Sequence, residues 1–165
     1  MSYTTTLVLE DGRRFDGHAY GATGETIGEI VFQTGMSGYQ ETLTDPSYAG
    51  QIVVQTAPHI GNTGMNDEDE ESRRIWVEGY IVRDPARVPS NFRSQRTLTD
   101  DLVDQGVVGI SGIDTRALTR IIRESGAMRA GIFPIDGRST AEYVAAVTAA
   151  PEMSGLNLSA NVSVE

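Results

Sequence analysis

Alternating apolar and polar positions dominate the first third of the chain and predict β-strands. Residues 5–10 and 14–20 flank Asp11-Gly12, a dipeptide typical of a hairpin turn, so the chain is expected to open with an antiparallel pair. The pattern continues at 29–34, where apolar side chains occupy both faces, and at 51–56. The sequence therefore predicts four strands in this part of the chain.

Helical spacing replaces this alternation in the second half. Apolar residues recur every three or four positions over 115–125, with Asp114 or Thr115 as the cap and Gly126 as the stop. Shorter patterns predict helices from Thr99 to Gly106 and from Ser139 or Thr140 to a point before Pro151. Apolar runs between the helices predict strands at 75–82, 107–110 and 128–133. Together these elements predict a mixed α/β fold.

The last residues of the chain differ from the rest. Residues 152–165 are small and polar and lack a periodic apolar face, as is typical of a linker. We therefore expect one domain over 1–151 followed by a linker over 152–165.

Charge and residue inventory exclude several classes of function. Thirteen basic residues against 23 acidic ones give a net charge of −10, which disfavours nucleic acid and anionic lipid as partners. All the basic residues are arginines, so lysine-dependent Schiff-base and P-loop chemistry is excluded. The absence of cysteine excludes disulfides and a thiol nucleophile. With no secretory signal or apolar stretch of membrane-spanning length, a soluble cytoplasmic protein is expected.

Candidate chemistry is sparse. Asp45-Pro46-Ser47-Tyr48 fits a type I turn, and neither His18 nor His59 stands at a spacing that would make Ser47 a hydrolase nucleophile. Two histidines without cysteine do not indicate a zinc site, and the acidic run 66–71 lacks the glycine and ligand spacing of a calcium loop. Gly21-Ala22-Thr23-Gly24 is not followed by a helix pattern, as a phosphate loop requires. No metal site is predicted.

The predicted helix over 115–125 also carries a stripe of basic residues. Arg116, Arg120 and Arg123 fall on one helix face, where they could bind carboxylates of a partner or simply be solvated. They are the candidate partner interface.

Several segments, taken in order, resemble a known family. They are Leu7-Val8-Leu9-Glu10-Asp11-Gly12, Gly28-Glu29-Ile30-Val31-Phe32, Gly38-Tyr39-Gln40-Glu41, Leu43-Thr44-Asp45-Pro46-Ser47-Tyr48, Pro58-His59-Ile60-Gly61-Asn62 and Gly112-Ile113-Asp114-Thr115-Arg116. They resemble the amino-terminal domain of the carbamoyl phosphate synthetase small subunit, over about residues 5–160. The resemblance implies a three-layer β/β/α swivelling-type domain, with a mixed sheet, an antiparallel sheet and helices on one side.

The resemblance also implies a function. In that family the small subunit hydrolyses L-glutamine and passes ammonia to a large subunit, which uses ATP and Mg to make carbamoyl phosphate for pyrimidine and arginine biosynthesis. The implied assembly is a ligase, as a heterodimer of small and large subunits or a higher assembly, and no cofactor is expected in this chain. By resemblance, Ser47 belongs to the glutamine-binding site.

The family's glutaminase step uses a Cys-His-Glu triad in a carboxy-terminal glutamine amidotransferase domain that the 165 residues do not match. No catalytic residue is therefore expected in this chain, and the chain alone is predicted to be inactive. The alternative is an autonomous docking or ligand-binding module without catalysis.

Overall fold

Seven β-strands form the framework of the described part of the chain. The computed structural model describes residues 3–33, 43, 45–56, 75–83 and 98–150. The strands are β1 Thr5–Leu9, β2 Arg14–Gly21, β3 Thr26–Gln33, β4 Gln51–Gln55, β5 Gly79–Val82, β6 Val108–Ser111 and β7 Met128–Pro134. The helices are the 3₁₀ helix Pro46–Tyr48 and the α-helices α1 Leu98–Asp104, α2 Thr115–Ser125 and α3 Thr140–Ala149.

The strands close into a barrel in the order β1-β2-β6-β5-β4-β3-β7, and β7 pairs with β1. The run β3-β4-β5-β6 is parallel throughout, whereas β1 pairs antiparallel with both β2 and β7. The antiparallel pairs β2–β6 and β3–β7 join the two parts. The result is one closed mixed sheet.

The predicted three-layer β/β/α arrangement is therefore wrong. Strands β2, β3 and β7 join what would otherwise be separate sheets. The first residues of each pair with one neighbouring strand and the last residues pair with another. In β2, residues up to Gly17 pair with β1 and residues from His18 onward pair with β6. Strands β3 and β7 also have neighbours on both sides, and Ile132 pairs with both Leu7 and Thr26. Such pairings join residues far apart in sequence, and periodicity carries no signal for them.

Most individual elements agree with the sequence pattern. The β1–β2 hairpin turns at Asp11 and Gly12, and Gly126 ends α2 with a φ of 82°. Ser139 and Glu142 form a reciprocal capping box at the start of α3. Strand β5 is shorter than the predicted 75–82 and begins only at Gly79. Helix α1 begins at Leu98, one residue before the predicted start at Thr99.

The core lies inside the barrel and beneath its covering elements. Side chains from β1, β3, β4, β5, β6 and β7 fill the interior together with Leu118 and Ile122 of α2. A second cluster joins the outer face of β4 and β5 to α1, through Val53, Tyr80 and Leu102. A third packs α3 against the outer face of β1 and β7. Helix α2 therefore covers one end of the barrel.

The barrel wall is closely packed at β6. A Cβ atom on Gly109 would lie 2.5 Å from the carbonyl oxygen of Tyr20 and 2.8 Å from that of Tyr80. Only glycine fits there, because both obstructing atoms are backbone of the neighbouring strands β2 and β5.

Candidate functional site

A cleft opens at the barrel end that α2 covers. Thr56 follows the end of β4, and Arg83 follows the end of β5. Both strands are parallel, so their carboxyl ends meet at this edge, which is the usual place for a ligand site in parallel sheets. The Arg83 carbonyl accepts a hydrogen bond from the amide of Gly112 at 3.1 Å, which fixes the β5 end beside the segment leading into α2.

The cleft encloses about 320 Å³. It is lined by four arginines and three threonines: Thr56, Arg83, Thr115, Arg116, Thr119, Arg120 and Arg123. We call it the cationic cleft. The structure thus brings the three arginines predicted from the helix together, and adds a fourth from a different element.

Local sequence explains how α2 presents this face. The Asp114 carboxylate accepts a hydrogen bond from the amide of Ala117 at 3.0 Å and so caps the helix start. Leu118 and Ile122 are buried toward the barrel. With 3.6 residues per turn, burial of that stripe leaves the face with Arg116, Arg120 and Arg123 exposed.

The arginines of the described residues fall into two groups. Four of them pair with carboxylates: Arg13 with Asp11, Arg14 with Asp16, Arg129 with Glu10, and Arg138 with Glu25 and Asp136. The other four are the arginines of the cationic cleft, and none of them pairs with a carboxylate of the described residues. Within the described part of the chain the cleft therefore holds unpaired positive charge, although the net charge of the whole sequence is −10.

Two threonines of the cleft hydrogen-bond to backbone carbonyls of the protein itself. The Thr119 hydroxyl donates to the Thr115 carbonyl at 2.8 Å, and the Thr56 hydroxyl donates to the Gln33 carbonyl at 3.1 Å. These two hydroxyl protons are therefore already donated to backbone carbonyls. The Arg123 guanidinium lies 5.3 Å from the centre of the Phe32 ring, which holds it against the barrel end.

Ser47 lies apart from the cleft. It is exposed in the 3₁₀ helix Pro46–Tyr48, and its amide donates to the Asp45 carboxylate at 3.0 Å. The ring of Tyr48 packs on the cluster that covers the outer face of β4. The predicted turn is thus present, and it leaves the Ser47 hydroxyl facing solvent without a hydrogen bond among the described residues.

Of the remaining candidates, His18 lies among the described residues. His18 lies on β2, where its ring contacts that of Tyr3 at 5.4 Å. His59 and the acidic run 66–71 lie outside the described residues. Within the part of the chain that the structure describes, no group of three histidine, aspartate or glutamate side chains is arranged to hold a metal ion.

Sequence reasoning missed Arg83, Thr56, Thr115 and Thr119. Their position in the sequence could have indicated Thr56 and Arg83, because each follows an apolar strand pattern and ligand sites form at the carboxyl ends of parallel strands. That signal cannot show which helix covers those ends. None of the described helices is both long and apolar enough to cross a membrane.

Fold and cleft together define a closed mixed barrel with a helix-capped, cationic end. Comparison with known proteins is more specific. The family profile "Carbamoyl-phosphate synthase small chain, CPSase domain" matches residues 7–132. The chain belongs to this family.

The relatives are closely similar over nearly all of this chain. It is 68% identical to the carbamoyl phosphate synthase small chain of Streptomyces avermitilis over 164 residues, and 59% identical to that of Mycobacterium tuberculosis over 161 residues. These alignments cover 96% and 95% of this chain but only 42% and 43% of the relatives. The chain therefore spans about two fifths of the length of the curated relatives it matches.

Proposed function

We propose that this chain is the amino-terminal part of a glutamine-dependent carbamoyl phosphate synthase small subunit, which supports glutamine hydrolysis and ammonia delivery to a large subunit. The observation that carries the proposal is the match of the family profile over residues 7–132, together with similar proteins that are named small chains. A small chain implies a large partner, to which we assign the ATP and Mg chemistry.

In this proposal, the amino-terminal part and the rest of the small subunit have different roles. The 165 residues contain no cysteine, so they supply no thiol for an acyl-enzyme intermediate. Their part is to shape the glutamine pocket and to contact the partner. In this proposal the exposed Ser47 hydroxyl hydrogen-bonds glutamine, and the face with Arg116, Arg120 and Arg123 is a candidate contact for the large subunit.

Ser47→Ala in the complete small subunit, assembled with its large subunit, tests the glutamine site. Loss of one hydrogen bond to the substrate is expected to raise the KM for glutamine about 3- to 10-fold. Synthesis from free ammonia should be unchanged, because only the glutamine pocket is altered. Steady-state rates with each nitrogen donor give the answer, and the 165-residue chain alone should release no ammonia from glutamine.

Ser125→Ala is the matched control, since Ser125 is an exposed serine at the end of α2, away from the 3₁₀ helix. It should leave both reactions unchanged. An unaltered glutamine KM in Ser47→Ala would remove Ser47 from the site.

A further inference from the structure

The cationic cleft concentrates positive charge that the described residues do not neutralise. Elsewhere in the described chain, every arginine contacts a carboxylate at 3.5 Å or less. In the cleft, Arg83 and the three arginines of α2 line one concave surface and have no such partner among the described residues. Guanidinium groups crowded in this way repel one another, and an anion bound among them would relieve that repulsion.

We infer that the cationic cleft binds a compact, polyvalent oxyanion, a small molecule that carries two or more phosphate or carboxylate groups. The planar guanidinium donates paired hydrogen bonds to both kinds of group, and several arginines together favour a ligand with more than one charge. The inference goes beyond the proposed function, which assigns no small-molecule ligand to this cleft; it is also an alternative to the large-subunit contact proposed there for Arg116, Arg120 and Arg123.

Shape favours a small ligand over a flat protein surface. A concave volume of about 320 Å³ falls at the lower end of the range for small-molecule pockets. The walls come from three separate places, the ends of β4 and β5 and the exposed face of α2, so the guanidiniums can reach a ligand from more than one side.

The arginines, and not the helix end or the threonines, provide the recognition. Asp114 already occupies the start of α2 through its bond to the Ala117 amide. The hydroxyl protons of Thr56 and Thr119 are donated to backbone carbonyls. Charge recognition therefore depends on Arg83 and its three neighbours, and substitution of these arginines is the decisive test.

The experiment measures anion binding to the 165-residue chain by isothermal titration calorimetry. Sodium pyrophosphate and citrate are the probes, at an ionic strength held constant with sodium chloride so that simple screening does not change. Arg83→Gln and Arg120→Gln each remove one guanidinium from an exposed position, and melting curves check that they fold. Arg13→Gln is the control, since Arg13 is an exposed arginine of the first hairpin, outside the cleft.

We expect saturable binding of at least one probe, weakened about 10-fold or more by Arg83→Gln and by Arg120→Gln. Arg13→Gln and Ser47→Ala should bind as the unmodified chain does. The inference is overturned if neither probe saturates, or if Arg13→Gln weakens binding as much as the cleft variants.

A protein partner is the competing occupant. If neither probe binds but Arg120→Glu abolishes co-purification with the large subunit, the cleft is a docking surface and the inference is wrong. The glutamine proposal is judged separately through Ser47→Ala, so the failure of either leaves the other testable.

Discussion

Arg138 shows how single residues join distant parts of this fold. Its guanidinium contacts the Asp136 carboxylate at 2.9 Å and the Glu25 carboxylate at 3.0 Å, and lies 4.7 Å from the centre of the Tyr143 ring. Hydrogen bonding from Arg138 holds the pKa of Asp136 below its usual range, and the two carboxylates raise the pKa of Arg138. One side chain thus ties the turn before β3 to the connection between β7 and α3.

Asp16 provides a pH-dependent prediction at the residue scale. Burial raises the pKa of its carboxyl, but hydrogen bonds from Arg14 at 2.8 Å and Thr6 at 2.7 Å outweigh burial, so the folded pKa lies below the ordinary 3.8. A lowered pKa means that the stabilisation is present above the unfolded value and is lost as the pH falls through the folded value.

Asp16→Asn should therefore lower the free energy of unfolding by about 0.5 kcal/mol at neutral pH, a small loss because the pair is partly exposed. The difference from the unmodified protein should vanish as the pH falls below 3.8. Urea unfolding at a series of pH values measures it, with Glu124→Gln as an exposed control. A gap that stays constant to low pH would contradict the assignment.

At the scale of elements, α2 has two functions. Its buried stripe closes the barrel end through Leu118 and Ile122, and its exposed stripe supplies three arginines to the cationic cleft. The spacing of both stripes follows from the helical period, which is why sequence analysis found this helix and its arginine face. The strand ends that complete the cleft were not predictable, because they depend on where the helix packs.

Leu118→Ala tests the capping contact. Leu118 is fully buried, so its truncation should lower the free energy of unfolding by about 2–5 kcal/mol through lost burial and the cavity left behind. Chemical denaturation measures the loss, and Glu124→Ala on the exposed side of α2 should change stability by less than about 0.5 kcal/mol. Similar losses in the two variants would show that α2 does not cover the barrel.

At the scale of the whole molecule, barrel closure leaves none of the seven strands with an open edge. The closing pair is β1–β7, which runs from Thr5↔Pro134 to Leu9↔Ala130. These partners stand about 125 residues apart in sequence, as the numbering shows. Closure also explains why β2 pairs first with β1 and then with β6, because the strands of a closed barrel are staggered in register.

Closure predicts uniform backbone protection. Strand amides that hydrogen-bond between β1 and β7 or between β2 and β6 should exchange with solvent as slowly as those between β4 and β5. The reason is that every one of these strand pairs is closed by backbone hydrogen bonds. Hydrogen exchange followed by NMR measures this, and amides of the exposed loop 23–25 serve as the fast reference. Rapid exchange confined to one pair of neighbouring strands would indicate an open sheet.

The sequence by itself determined the local elements and the family. Turn and cap residues such as Gly126 and Ser139 act on their immediate neighbours, so their effects can be predicted from a short stretch of sequence. The absence of cysteine and lysine was equally readable, and it limited the chemistry before any fold was known.

Only the tertiary structure decided how those elements close and what meets at the barrel end. The expectation of layers failed because strand pairing between remote segments depends on register and twist, for which one sequence holds no local signal. For the same reason Arg83 joined the arginines of α2 only once β5 and the helix were placed side by side. The physical cause is that periodicity fixes the face on which a side chain lies, whereas packing fixes what that face meets.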